Sequence, residues 1–334
     1  MRKRATPNMS TQTEALHLAW SAFAAGLSQS DRDLLGQRWA GKRQPLPADW
    51  VRLSVHVGPC TTPASDRSRA VFQGVMGLMP ASHSALLRSV MHTEVLSQDV
   101  AGHLTLRGDA QTLSDHLQHA MHALHRMGAL GGWRNELQAM VVDTAHTVDA
   151  TDDDDNTSTM VMNHATPLLE FERCGHQFVG GVTHAVHVNA LTQDGLMWCG
   201  RRAPSKATDP GRLDNVCAGG VPAGESLQET LGREMMEEAG INLEQCSAVA
   251  FVATVRTSRS EAIGWHDEYL HVTNVLLPQH VVPCNQDGEV SGFELLHSHQ
   301  VMQAIRNNDM TADAGLAVVQ ALRCSGFLKV PLGA

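Results

Sequence analysis

The stretch AGGVPAGESLQETLGREMMEEAGI, residues 218–241, constrains this chain more than any other. It reads as a glycine-rich loop running into a helix whose two ends are both written in the residues. Ser226 can cap the N-terminus while Glu229, three residues on, reaches back to it, which is the capping-box pattern. Gly240, just after Ala239, supplies the left-handed stop. Between these ends Glu234, Glu237 and Glu238 fall within an arc of about 100°, at 100° per residue. Leu227, Leu231, Met235 and Ala239 form an adjoining apolar stripe. The carboxylates therefore sit at the margin of the buried face.

That placement is unfavourable for a helix on its own. At about 6 Å in a water-like dielectric each carboxylate pair repels by roughly 0.7 kcal/mol, and by more when partly buried. Glu237 and Glu238 also stand in the last turn, where the helix dipole disfavours negative charge. Arg233 is the one nearby residue to offset them. A solvated acidic face is the ordinary explanation of such a cluster. The glycine-rich approach argues against it here, because backbone amides in AGGVPAG can cradle a phosphate or let a bound group come close. A divalent cation removes the conflict, and hard oxygen ligands in this number suit Mg²⁺ or Mn²⁺.

Gly219, Glu225, Arg233, Glu234, Met235, Glu237, Glu238, Gly240 and Ile241 match every fixed position of the Nudix box, Gly-x5-Glu-x7-Arg-Glu-U-x-Glu-Glu-x-Gly-U with U aliphatic. On these residues the chain resembles the Nudix hydrolases. The resemblance implies an α/β/α sandwich and metal-assisted hydrolysis of a diphosphate attached to another moiety. It implies that Glu234, Glu237 and Glu238 are metal ligands, that Glu225 and Arg233 form a buried salt bridge holding the loop on the helix, and that Gly219 and Gly220 give the backbone approach to substrate. Glu237, Glu238 and a carboxylate from a later loop are the expected catalytic groups. Glu289 in DGEV and Glu268 in HDEY are the candidates for that further acid.

Around the box, MWCGRR (197–202), Lys206, PGRLDNVCAGG (210–220) and LPQHVVPCNQDGEVSGFELL (277–296) resemble a narrower two-domain Nudix group, related to the Nudix part of thiamine pyrophosphokinase fusions. GVMG (74–77), WRNE (133–136), FERC (171–174) and VHVNA (186–190) extend the resemblance upstream. The chain departs from that group at Ala190, where glycine is usual, and at His271 and Thr273, where a more aromatic strand is usual. This resemblance implies hydrolysis of thiamine diphosphate, native or oxidised, to the monophosphate and phosphate. The rival readings are a pyrophosphatase of ADP-ribose or another nucleoside-diphosphate derivative, an isopentenyl-diphosphate isomerase, and a non-catalytic metabolite sensor. The complete hydrolytic box speaks against the last two.

Other residues carry open alternatives. Arg201, Arg202 and Lys206 follow a strand end and either clamp phosphate or form an exposed rim. Trp198 either stacks on a cationic ring or packs in the core. His116, His119, His122 and His125 drift 60° per step and sweep about 180°, so they read as a polar helix face, not a zinc site. AHTVDATDDDDNTSTM has four adjacent aspartates and lacks the EF-hand spacing, so residues 147–160 are expected to form a solvated acidic loop.

Composition narrows the partners. Asp plus Glu is 35 against 25 for Lys plus Arg, a net charge of -10, and aromatics are 4%. Neither phosphate neutralisation nor base stacking favours nucleic acid. No apolar run approaches the roughly 20 residues of a membrane span, and the basic start has no apolar stretch behind it. Seven scattered cysteines without CxxC read as reduced thiols of a cytoplasmic protein. The expected partner is a small-molecule diphosphate, with a homodimer as the assembly this reading allows.

Periodicity gives an α+β chain. Helices are expected at Glu14 to Ala25, Asp31 to Trp39, Thr112 to Met127, Ser226 to Ala239, Val301 to Arg306 and Ala312 to Cys324, with a short one from Pro80. Strands are expected around 70–79, 90–97, 133–142, 168–174, 185–191, 196–201, 248–255 and 269–277, and Leu213 to Ala218 is a short apolar run. The break at HQFVGGV suggests a smaller α+β accessory domain over residues 1–175 and the Nudix domain over 176–334.

Overall fold

The computed structural model describes residues 9–45, 47–58, 72–141 and 167–329. The acidic segment 147–160 lies outside them. In chain order the elements are helices α1 (Met9–Ala25) and α2 (Gln29–Ala40), strands β1 (Trp50–Val57) and β2 (Phe72–Pro80), α3 (Ala81–Val90), β3 (Leu96–Gln98), β4 (Leu104–Gly108) and α4 (Ala110–Arg126). There follow β5 (Leu137–Val141), β6 (Pro167–Glu172), α5 (Arg173–Val179), β7 (Val182–Leu191), β8 (Met197–Arg202), β9 (Leu213–Asp214), β10 (Cys217–Gly220) and α6 (Leu227–Ala239). The chain continues through β11 (Ala248–Glu261), β12 (Gly264–Leu276), β13 (Val290–Leu296), α7 (Ser298–Arg306) and α8 (Ala312–Cys324).

The larger sheet runs β11-β12-β7-β8-β13, with β10 also paired to β7 and β9 to β8. β12 and β7 are parallel, and the other pairs are antiparallel. Alternation along β7 sends Val188 and Ala190 to one face, where they share a core with Leu231 and Met235 of α6. Asn189 points the other way and donates to the Ala317 carbonyl of α8 at 3.3 Å. The sheet is thus held between α6 and α8, an α/β/α sandwich. Among the described residues no helix is long and apolar enough to cross a membrane.

The smaller unit is a four-stranded sheet, β2-β1-β4-β3, covered by α4. Leu113, Leu117, Ala120, Met121 and Leu124 recur along α4 at helical spacing and are all buried with Leu53, Val55, Leu104 and Leu106 of the sheet. β5 and β6 pair as a separate antiparallel ribbon, as the resumption of a strand at LLEFERC predicts.

The cores divide the chain differently from a boundary at 175/176. Leu16, Trp20, Phe23 and Leu35 of α1 and α2 lie in one core with Val301, Met302, Val318 and Leu322 of the C-terminal helices. Helices α1 and α2 therefore belong physically with the larger sheet and the C-terminal helices. HQFVGGV, read as a break, is mostly helix: His176, Phe178 and Val179 of α5 are buried, and Gly180 closes the helix in the left-handed conformation.

Candidate active site

The box helix has the ends its residues prescribe. The Glu229 N–H donates to the Ser226 hydroxyl at 3.2 Å, and the Ser226 N–H donates to the Glu229 carboxylate at 2.8 Å. Gly240 follows with φ 65°, and its N–H donates to the Met236 carbonyl.

Arg233 organises the carboxylates around it. Its Nε donates to both oxygens of Glu225, at 3.1 and 3.2 Å, and one terminal nitrogen donates to Glu234 at 2.8 Å and Glu237 at 3.0 Å. Thr230 adds a hydroxyl to Glu225 at 2.9 Å. The Glu225 and Arg233 side chains are each about 30% exposed, so the pair is half-buried, not sealed. The reason is local: Arg233 must reach the half-exposed Glu237 as well as the loop.

Glu234 and Glu238 are buried, at 8% and 7% exposure. Glu234 is tucked against β10, where a Cβ on Gly219 would sit 2.0 Å from its carboxyl carbon. Glu238 accepts the Ala218 N–H at 3.0 Å. Burial pushes the Glu238 carboxyl up to about 8; the Ala218 bond and Lys206 work against the shift, and Glu234 and Asp214 add to it. Burial likewise raises Glu234, with Arg233 opposing.

Among the described residues the three helix glutamates do not converge on one point, because Arg233 draws Glu234 and Glu237 to itself. The set whose oxygens lie within 4.8 Å of one another is Glu238, Asp287 and Glu289. The loop bringing the last two is fixed to the end of α6, where the Cys284 N–H donates to the Ala239 carbonyl and the Gln286 N–H to the Glu237 carbonyl. Asp287 accepts the Glu289 N–H at 2.8 Å. Sequence reasoning did not single out Asp287. It stands two residues before Glu289 in a loop without a motif of its own, and the feature that assigns it is the capping of α6.

Glu289 is held by two cations. Arg134, from the segment before β5, donates to Oε1 at 2.7 Å, and Lys206 donates to Oε2. Burial alone would raise Glu289, but Lys206 and Arg134 outweigh it and hold the carboxyl down at about 2. Lys206 is thus inside the acidic group. Arg201 is taken up by Glu294 at 2.7 Å and the Gly211 carbonyl at 2.7 Å, and Arg202 by Asp214 at 2.8 Å and the Thr208 carbonyl. Both arginines brace the β8–β9 turn. Glu268 lies elsewhere, converging with His266 and Asp313 beside α8. Trp198 packs on the apolar core beneath α6 with Phe293.

The accessory ribbon closes one side. The Ala223 N–H donates to the Leu137 carbonyl at 2.8 Å. A Cβ on Gly220 would meet the Gln138 amide nitrogen at 2.3 Å, with the Arg173 guanidinium next at 3.3 Å. His271 hydrogen-bonds His184 at 3.0 Å and Thr254 at 2.9 Å, and burial lowers both imidazoles, His184 to about 4. His122 and His125 lie against the Trp133 ring and join no metal-ligand group among the described residues.

Residues 183–314 match the family model described as NUDIX domain. The chain is 33% identical over 170 residues to "Nudix hydrolase 24, chloroplastic" of Arabidopsis thaliana, which covers 50% of this chain and 47% of that protein. It is 25% identical over 233 residues to an uncharacterized protein of Saccharomyces cerevisiae, covering 65% of this chain and 62% of that one. The chain spans about half the length of the plant relatives it matches. Among solved structures, the NUDIX domain of Shewanella oneidensis NrtR complexed with ADP ribose is 19% identical, covering 36% of this chain and 75% of that chain with a TM-score of 0.30. The stretch that matches the NUDIX domain model, residues 183–314, contains the complete box and its loop-helix geometry.

Proposed function

We propose that the chain is a metal-dependent Nudix hydrolase that cleaves a diphosphate linked to an organic moiety, and that thiamine diphosphate, native or oxidised, is its substrate class. The observation that carries the reading is the meeting of Glu238 with Asp287 and Glu289 beside β10, whose Ala218 N–H Glu238 accepts. The donors are all carboxylate oxygens, as Mg²⁺ and Mn²⁺ prefer. Burial beside Glu234 leaves Glu238 short of counter-charge, which a divalent cation supplies.

Glu238, Asp287 and Glu289 would hold the ion, with Glu234 and Glu237 as the adjoining carboxylates of the helix. When bound, such an ion neutralises the charge that grows on the diphosphate oxygens as the P–O bond breaks. The remaining work falls to the chain. Gly219 and Gly220 let the Glu234 carboxylate and the Gln138 amide close on β10, and the Glu225–Arg233 pair ties the loop that follows to the helix. Both oxygens of Glu289 already accept from cations, so Glu238 is the better placed acceptor for the proton of the attacking water. Lys206 adds positive charge where the leaving phosphate gathers negative charge.

The segments of the narrower resemblance support the substrate class by where they lie. Residues 277–296 deliver Asp287 and Glu289, residues 210–220 deliver Gly219, and WRNE delivers Arg134. The cysteines among the described residues are free thiols, in keeping with a reducing, cytoplasmic setting.

The test compares release of phosphate and the monophosphate from oxythiamine diphosphate and thiamine diphosphate with release of AMP and ribose 5-phosphate from ADP-ribose, under one set of conditions with Mg²⁺ or Mn²⁺. Preference for the thiamine compounds supports the assignment. Preference for ADP-ribose keeps the hydrolase and moves the substrate to the nucleoside-diphosphate derivatives; no turnover of any member would sink the reading.

A further inference from the structure

Among the described residues the accessory unit reaches the carboxylate group through Arg134, and the chain around that side chain is built to present it. Trp133 lies against the rings of His122 and His125 on α4 and donates its indole N–H to Asn135 at 2.7 Å. Asn135 takes a left-handed backbone, φ 55°, which few residues other than glycine and asparagine accept. The Arg134 N–H between them donates to the fully buried Glu172 carboxylate at 2.9 Å. The guanidinium is thereby aimed out of the accessory unit to Glu289, 155 residues away in sequence, at 2.7 Å.

Charge balance shows what this arrangement asks for. With Glu238, Asp287 and Glu289 ionised, three negative charges face two positive ones, from Arg134 and Lys206. A divalent ion in the group reverses the balance to one positive charge and takes the Glu289 oxygens the two cations now occupy. Lys206 is largely covered, at 13% side-chain exposure, whereas Arg134 is 44% exposed and free to turn. A guanidinium fork that loses a carboxylate beside a newly positive site finds its match in a phosphate, which it binds in the same two-pronged way.

We propose that Arg134 is a substrate-binding residue: it holds Glu289 until a divalent cation takes that carboxylate, then passes to an oxygen of the substrate's diphosphate. The accessory unit thus reads the diphosphate itself as well as walling the site. This rests on the reading of Glu238, Asp287 and Glu289 as a cation site.

The experiment compares the full chain with Arg134→Gln and Arg134→Lys by two binding measurements without turnover. Free Mn²⁺ is titrated and followed by electron paramagnetic resonance, and methylenediphosphonate is titrated calorimetrically with saturating Ca²⁺. Arg134→Gln should bind Mn²⁺ about threefold to tenfold more tightly, because a competing cation is gone. It should bind the diphosphonate about tenfold or more weakly. Arg134→Lys keeps the charge and loses the fork, so its Mn²⁺ affinity should stay near wild type while the diphosphonate weakens several-fold.

Unchanged affinities in Arg134→Gln, or loss of Mn²⁺ and diphosphonate binding together, would overturn the proposal, the second being the pattern of a residue that only supports the fold. If Arg134→Gln does not fold, Arg134→Lys decides: wild-type diphosphonate affinity there overturns it. A wild-type chain that binds no Mn²⁺ overturns the cation reading and this proposal with it, a failure visible before any substitution is made.

Discussion

Gly219 and Glu234 are pressed together so closely that a Cβ on the glycine would lie 2.0 Å from the glutamate's carboxyl carbon. The contact sets the gap between β10 and α6. Gly219→Ala should force that carboxylate aside and with it the helix edge. Overpacking of this kind costs about 1–3 kcal/mol, read as a lower unfolding free energy in urea. Turnover should fall by about a hundredfold or more, since misplacement by about 1 Å has that effect on positioned groups. Wild-type kinetics in Gly219→Ala would show that the close approach has no part in catalysis.

Glu238 is a buried carboxyl whose ionisation the fold resists. Glu238→Gln keeps its shape and removes the charge, so turnover should drop by about 10²–10⁴-fold while stability holds. The sign follows from linkage. A carboxyl raised to about 8 in the folded chain, above its ordinary 4.5, costs stability once the pH exceeds that ordinary value. The variant should therefore melt at the same temperature as wild type or higher at pH 7–8, by differential scanning fluorimetry. Glu237→Gln should also lose Mg²⁺-dependent turnover with its fold intact. Full activity in both variants would remove the helix from the mechanism.

A cation that binds only the folded chain must stabilise it. At a hundred times its dissociation constant, Mg²⁺ or Mn²⁺ should add about 2.7 kcal/mol, seen as a rise in melting temperature of several degrees that EDTA reverses along with activity. Activity that survives chelation would contradict the cation reading.

His266 offers a separate pH signature. Burial works against its charge, but Asp313, 3.4 Å away, and then Glu268 prevail and raise the imidazole to about 9. Its stabilising share is fully present below about 6.5 and disappears as the pH climbs through 9. Wild type should exceed His266→Gln in unfolding free energy by about 2 kcal/mol at pH 6, with the difference shrinking toward pH 10. A gap that stays constant or widens would argue against a charged His266.

Much of the site can be read from residues that act locally. Ser226, Glu229 and Gly240 specify where α6 starts and stops through neighbours within a turn, and α8 runs over the interval its periodicity predicts, Ala312–Cys324. What escapes the sequence depends on distant partners. β13 shows no clean alternation, because most of its side chains are at least partly exposed, and it is recognisable only by pairing with β8. β1 does alternate, with Leu53, Val55 and Val57 buried, yet it follows a proline-rich stretch that reads as loop. Asp287 and Arg134 matter only because tertiary structure brings a loop and a ribbon to the same place. Arg201 and Arg202 look alike beside Lys206 in sequence, and only their distant carboxylate partners separate them from it.

The packing of α1 on the larger sheet and of α2 on α8 has a bearing on how the chain is made. α1 and α2 are translated before the strands and helices that cover their apolar faces. Until the larger sheet is made, Leu16, Trp20 and Phe23 have nothing native to cover them, and a protein truncated to residues 176–334 would show the matching bare surface. Chaperone dependence during synthesis, and poor behaviour of such truncations, are the practical price of packing early helices on elements made later.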